Sequence, residues 1–527
     1  MAIPRLYKRV TVAAMFHAHI QTLIRTLEPH LTVAQKKQLK KEGKYKGQQE
    51  RYSNLLGEHA KPFCADYVRQ LVIGVSDPGR KHAFIVDRYL EEALQNFRNL
   101  EIVETRVLTE SMAESLASLG SLKALCLFSD HISDESMNLI ATIKNLKHLA
   151  MDYADHRRRI GGHGSAIRAM LLNSASTLQS LTIPAGSLLY GFLEERDEKV
   201  LENKLVAHQP LHLSALQALD ISYMPDDEAF ITSLQRAIDL MALRELRLHG
   251  MSQGKELIYQ RLSSLAQKTT RDIRLRSLYL DMSAESYGAS FAQNMPDYRY
   301  ECGFISSFDT LTALEISGYG LYPDYIANPG LSDLLLQAIS KHRNLTSLTM
   351  SYPFIPSGCK VPYLSADTVS TIVKNLPHLQ VLHFAPDEDQ SREIGLALSN
   401  AADLTTVSCF PFEGWAKFPR PDDPCAKARD GIIQGFLSRG GWRGVGKFVW
   451  EDNYKLRRLV FHQEMWDIGS AFHTFQRGMK KAQKRRSDDD EECEVLIRDI
   501  SSTLNKGIHI GYDPDFKWVE MAAKGIV

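Results

Sequence analysis

Three observations predict an α/β leucine-rich-repeat solenoid, a curved parallel sheet with outer helices. The pattern L-x-x-L-x-L recurs about a dozen times along the 527 residues. From Leu71 to Val407 the steps between copies are 29, 25, 24, 32, 38, 27, 32, 36, 34, 34 and 25, so the repeats are irregular and mostly 24–38 residues long. Between copies the apolar period changes from alternation to helical spacing.

The copies run in order. Val68-Arg-Gln-Leu71-Val-Ile73 and Phe97-Arg-Asn-Leu100-Glu-Ile102 come first. The leucines 122, 146, 178, 216, 243, 275, 311, 345 and 379 each open a further copy. Leu404-Thr-Thr-Val407-Ser-Cys409 is weaker, and Leu456-Arg-Arg-Leu459-Val-Phe461 extends the series forwards. In L-x-L the two apolar side chains point to one face of a strand, because alternate residues share a face. Helical returns are expected after a cap at Ser111 with Glu114, after Asp134, and after Ser365 ahead of Val369, Ile372, Val373 and Leu376. A strand and a helix in under about 35 residues give parallel strands with right-handed returns, and each unit buries its leucines only against its neighbours.

Three regions follow. Residues 1–65 form an N-terminal segment, with Val10–Leu31 read as helix and Gln35–Arg51 as a solvated loop or weak helix. Residues 66–410 are the solenoid, with long connections at 187–212, 281–307, 317–340 and 351–366, the kind that carries recognition loops. Residues 411–527 are an irregular cap region. Phe412, Trp415, Phe418, Trp442, Phe448 and Trp450 close the end of the core or, on the rival reading, form a partner patch. The charged loop 479–494 holds the basic run Lys480–Arg486, a solvated turn or an import signal. A last helix is expected over Val495–Leu504, before a tail with Tyr512, Phe516 and Trp518.

Composition removes several classes. Sixty-three basic residues balance sixty-three acidic ones, which argues against nucleic acid as a general partner. Seven scattered cysteines without C-x-x-C spacing argue against a disulfide framework or zinc ribbon. No apolar run is long enough to span a membrane, and the expected location is cytoplasmic, nuclear or both. No catalytic motif is present: Gly161-Gly-His163-Gly and Gly441-Trp-Arg-Gly444-Val-Gly446 lack phosphate-loop order, and His17 and His19 are spaced wrongly for a metal pair on a helix. Cys126 and Cys409 read as packing thiols. No cofactor, metal or enzymatic activity is expected.

The strand residues that alternate with the leucines face the concave side. They include His148, Asp152, Asp220, Ser222, Glu245, Arg247, His249, Tyr279 and Asp281, then Glu315, Ser317, Thr349, Ser351, His383, Arg458 and His462. A solvated sheet face is polar in any case. A rigid polar row also suits a protein ligand, and the candidate contact residues are Asp220, Glu245, Arg247, His249, Tyr279, Asp281, Glu315 and His383.

The irregular repeats, together with Ile3-Pro-Arg-Leu6-Tyr-Lys-Arg9-Val-Thr-Val12, resemble fungal F-box and leucine-rich-repeat proteins. In that family a Leu-Tyr-Arg/Lys-x-Val-Thr strand closes the F-box and leads into the repeats. Leu23-Ile-Arg-Thr-Leu27 and Tyr67-Val-Arg-Gln-Leu71 resemble the helix and first repeat strand that follow. The resemblance implies a substrate-recognition subunit of a cullin-RING ubiquitin ligase, with a Skp-type adaptor and a cullin as partners. The F-box helices would lie ahead of Met1, so no adaptor-contact residue is carried over. The alternative is a repeat scaffold or regulator that works without ubiquitin.

Overall fold

The computed structural model describes residues 8–13, 65–74, 83–128, 132–152, 164–183, 186–193, 211–222, 227–249, 253–268, 272–282, 299–319, 322–323, 330–352, 359–409, 458–461, 464–468 and 497–499, with isolated positions between them. The fold is an α/β leucine-rich-repeat solenoid, in which parallel strands alternate with helical returns. It divides into two compact units: Met1–Leu219, Thr232–Asp239 and Pro514–Val527 make unit 1, and Asp220–Ile231 with Leu240–Asp513 make unit 2.

Unit 1 opens with strand β1 (Arg9–Ala13) where helix was expected. Val10, Thr11 and Val12 are β-branched, and β1 pairs in parallel with β2 (Gln70–Gly74), burying Val10 and Val12. Strands β3 (Ile102–Thr105), β4 (Ala124–Phe128), β5 (His148–Asp152) and β6 (Ser180–Ile183) continue the parallel ladder. Helices α1 (Ala83–Asn96), α2 (Glu110–Ala117), α3 (Asp134–Ile140), α4 (Gly164–Ser174) and α5 (Gly186–Leu193) return the chain.

Register corrects one copy of the motif. Leu71 pairs with Val103, and Val103 with Leu125. The copy is therefore Leu100-x-x-Val103-x-Thr105, three residues later than the leucine pattern suggests. Phe97 is buried at the end of α1's turn, and Leu100 takes the place that Leu122 takes in the next repeat. Thr105 tolerates the core position because its hydroxyl donates to the Val107 carbonyl. Hydroxyls just ahead of the motif tie adjacent repeats: Ser121 donates to the Leu100 carbonyl at 2.6 Å and Thr177 to Leu146 at 2.9 Å.

Two caps also move. Thr109, not Ser111, caps α2, and Ser133, not Asp134, caps α3, while Ser365 caps its helix as expected. The cap residue must keep extended backbone while its oxygen accepts from an amide three residues on. Asp134 instead sits in the first turn, where its charge meets the helix dipole.

Strand β7 (Ala218–Ser222) and helix α6 (Glu228–Ala237) span the division between units. Unit 2 continues with β8 (Glu245–His249), α7 (Gln253–Lys268), β9 (Ser277–Asp281), α8 (Arg299–Ile305) and β10 (Ala313–Ser317). A two-residue strand β11 (Tyr322–Pro323), helix α9 (Asp333–Ser340), β12 (Ser347–Ser351), a second short strand β13 (Cys359–Lys360) and α10 (Ala366–Asn375) come next. β14 (Val381–Phe384), α11 (Ser391–Leu398) and β15 (Thr406–Cys409) follow. Leu246, Leu248, Leu278, Leu280, Leu314 and Ile316 are fully buried under the returning helices, as are Ile258, Tyr259 and Leu262 of α7. Tyr259 stacks on Phe304 at 4.8 Å between centroids.

The ladder extends beyond 410: β16 (Arg458–Phe461) pairs in parallel with β15. The direction then reverses, with β17 (Glu464–Ile468) antiparallel to β16 and β18 (Ile497–Asp499) antiparallel to β17. A strand thus stands where the helix Val495–Leu504 was expected, because pairing to β17 overrides local helix preference. Within 411–450, Ala428, Gly431, Ile432, Gly435 and Phe436 are helical, at the spacing of one helix face, and meet α11. The six expected capping aromatics, Gly161–His163, Gly441–Gly446, the run Lys480–Arg486, His17, His19, Gln35–Arg51, His462, Tyr512, Phe516 and Trp518 lie outside the described residues. Among the described residues no helix is long and apolar enough to cross a membrane.

Candidate protein-binding face

The candidate site lies on the helix-free face of unit 2. Leu246 and Leu248 point into the core, so Glu245, Arg247 and His249 point the other way. Parallel register carries this parity from strand to strand. Arg247 pairs with Tyr279, Tyr279 with Glu315, Glu315 with Thr349, and Thr349 with His383. The row beside it holds Asp281, Ser317 and Ser351.

Arg247 organises the row. Its Nη2 donates to Glu315 Oε2 at 2.6 Å, Nη1 lies 3.8 Å from Glu245 Oε1, and Nε lies 4.0 Å from Asp220 Oδ2. Its side chain is only 11% exposed and that of Glu315 15%. Burial opposes the guanidinium charge, but Glu315, Asp220 and Glu245 outweigh it, so its pKa lies above the ordinary value. The guanidinium carbon sits 5.1 Å from the Tyr279 ring centroid. His249 Nε2 meets Asp220 Oδ1 at 3.0 Å, and its ring lies 4.2 Å from that of Tyr279. Six of the eight candidates, Asp220, Glu245, Arg247, His249, Tyr279 and Glu315, thus form one contact network.

The other two occupy neighbouring positions of the same face. Asp281 ends β9 beside Ser317, one alternation beyond Tyr279. Burial pushes the His383 imidazole down to about 4, against the pull of Glu315, so it is neutral at neutral pH. Tyr279 is also less open than a sheet-face tyrosine, at 8% exposure, because Arg247 and His249 cover it.

One part of the face was not legible beforehand. The long connections 317–340 and 351–366 meet through an antiparallel pair, β11 with β13. Gly318, at φ 70°, turns the chain out of β10 and its amide donates to the Ser351 carbonyl at 2.8 Å. Val361 and Ala385 form a small core there with Tyr352 and Tyr363, and Ser317 and Ser351 are buried. The available signal was that both insertions follow consecutive ladder strands, which places them side by side.

Of the remaining predicted face residues, Ser222 and Thr349 lie half-buried on the same side. His148 belongs to unit 1, and the side chains of Asp152 and Arg458 lie outside the described residues. Cys126 and Cys409 are both buried, and burial raises the Cys409 thiol pKa. On the helix side of unit 2 a groove of about 500 Å³ opens between α9 and α10, lined by Asp333, Leu336, Lys341, Arg343, Thr371 and Asn375 among others. Among the described residues no group of three His, Cys, Asp or Glu side chains is placed to hold a metal.

No protein-family model and no curated protein matches the chain. Solved structures share part of its course. The yeast Rad7–Elc1 complex is 15% identical with a TM-score of 0.39, over 67% of this chain and 79% of that one. An internalin, inlF of Listeria monocytogenes, is 14% identical with a TM-score of 0.27, over 66% of this chain and 75% of that one. The TLR13–ssRNA13 complex is 13% identical with a TM-score of 0.28, over 61% of this chain and 41% of that one.

Proposed function

We propose that the chain is a protein-interaction scaffold that holds a partner on the helix-free face of unit 2. The network around Arg247 carries this reading. Six side chains are locked before any partner arrives, so binding costs little further side-chain ordering. Among the described residues the face carries both signs of charge, with Asp220, Glu245, Asp281 and Glu315 beside Arg247, which suits a partner surface of complementary, mixed charge. The reading needs no cofactor and no catalytic step.

The finer proposal is a substrate-recognition subunit of an SCF-type cullin-RING ubiquitin ligase. It is supported by the resemblance of residues 3–12 and the repeats to fungal F-box proteins, and by a strand, Arg9–Ala13, that pairs with the first strand of the ladder. Co-purification with a Skp-type adaptor from cells expressing this chain tests it. A partner retained without adaptor rejects ligase membership and leaves a scaffold that works without ubiquitin. For any identified partner, Arg247→Ala with Tyr279→Ala is expected to weaken binding, and unchanged affinity moves the site off this face.

A further inference from the structure

The edge of unit 2 at which the chain enters its strands carries positive charge that no described ion pair takes up. Arg244 stands just ahead of β8 and Arg276 just ahead of β9, on successive rungs about 4.8 Å apart. The Arg276 amide donates to the Arg244 carbonyl at 2.8 Å, so the two rungs are joined. Arg274 lies in the same turn as Arg276, and Lys341 and Arg343 occupy the turn from α9 into β12. All five side chains are exposed, and among the described residues none is in an ion pair. Asp272 and Asp309 share the edge, and Asp403 meets His378 at 3.3 Å. Unit 1 fills the same position differently: there Glu101 sits between Arg69 and Lys123, 3.8 Å from one and 3.4 Å from the other. Like charges on neighbouring strands repel, so the Arg244–Arg276 neighbours carry a cost that unit 1 avoids.

We infer that this edge binds an extended acidic segment of a partner protein, whose carboxylates meet Arg244, Arg276 and Arg343 in turn. Three features select that ligand. Four of the five cations are arginines, whose planar fork matches a carboxylate with two parallel hydrogen bonds. The edge beneath them is fixed: Thr310 donates to the Leu275 carbonyl at 2.6 Å, Thr312 to that of Arg276 at 3.1 Å, and Lys341 Nζ to that of Ser306 at 2.8 Å. Lys341 and Arg343 also line the groove of about 500 Å³ between α9 and α10, where the end of such a segment can seat. From β8 to β12 there are three strand spacings, about 14 Å, which about four or five extended residues cover. A nucleic acid fits less well, because Asp272 and Asp309 interrupt the row and the 63 basic residues of the chain are matched by 63 acidic ones. The edge is distinct from the helix-free face, and the inference does not rest on what that face holds.

The probe is a fluorescein-labelled deca-glutamate peptide, titrated with the full-length chain and read by fluorescence anisotropy at low and at physiological salt. Binding that weakens as salt rises is expected. Arg244→Gln with Arg276→Gln is expected to raise the Kd about tenfold or more. Arg69→Gln with Lys123→Gln removes the same charge from unit 1, beside Glu101, and is expected to change the Kd less than about twofold. Absence of binding, an unchanged Kd in the first variant, or equal losses in both variants overturns the proposal. A single-stranded RNA of about 15 nucleotides that binds more tightly than the peptide, and loses affinity with the same two arginines, assigns the edge to nucleic acid and also overturns it. If the first variant loses its far-ultraviolet circular dichroism, Arg274→Gln with Arg343→Gln takes its place, with the same outcomes for and against.

Discussion

Arg247→Met keeps most of the apolar stem of the side chain and removes the guanidinium that Glu315, Asp220 and Glu245 share. Exposed ion pairs contribute only about 0–1 kcal/mol, whereas stranding a buried charge costs about 3–5 kcal/mol. Arg247 and Glu315 are 11% and 15% exposed, nearer the buried case. Three partly buried carboxylates are left facing one another, and the charge-assisted bond at 2.6 Å is lost. The expected destabilisation is about 2–3 kcal/mol, with the loss of the Tyr279 ring contact a small part of it. Repeat arrays open locally, so the assay is hydrogen exchange of the β8–β10 amides, which reports the opening free energy at the site itself. Glu315→Gln removes one of the stranded charges, so the double variant Arg247→Met with Glu315→Gln is expected to cost less than the sum of the two singles by about 1 kcal/mol. A loss below about 0.5 kcal/mol for Arg247→Met, or strict additivity, refutes the claim that the guanidinium organises this row.

A methyl group at Gly435 would overlap the Arg392 carbonyl oxygen, and one at Gly395 would lie 2.8 Å from the Phe436 amide nitrogen. Gly435→Ala and Gly395→Ala are each expected to lower the melting temperature, at a cost of about 1–3 kcal/mol. Gly303→Ala, in α8 with open space at its Cβ, is expected to stabilise by about 0.5–1 kcal/mol. Burial, with Lys147 second, holds the His148 imidazole down to about 4, below its unfolded value of 6.5. The unfolded chain therefore takes up that proton first. Stability from this group is full above about 6.5 and is lost as pH falls towards 4, up to about 3 kcal/mol. Denaturation midpoints at neutral and acid pH, compared between the wild type and His148→Gln, check this: the variant is expected to show the shallower pH dependence.

Much of the architecture was legible because a repeated leucine must be buried wherever it recurs. Leu246, Leu278, Leu314, Leu348 and Leu382 stack in register as the spacing implies. The same parity carried the candidate face, and six of its eight residues meet in one network. Local signals erred where a neighbour decided the outcome. Residues 9–13 and 497–499 are strands because partner strands receive them, and Phe97 ceded its motif position because Leu100 aligns with the next repeat.

Sequence alone determined the α/β repeat class and most of the ladder strands from 70 to 409, since each follows from a local period. Tertiary structure decided the rest. The sharing of Arg247 among three carboxylates depends on side chains from β7, β8 and β10, which lie far apart in sequence and become neighbours only through parallel pairing. The pairing of the two insertions arises in the same way, because it belongs to contacts between repeats and not to any repeat by itself.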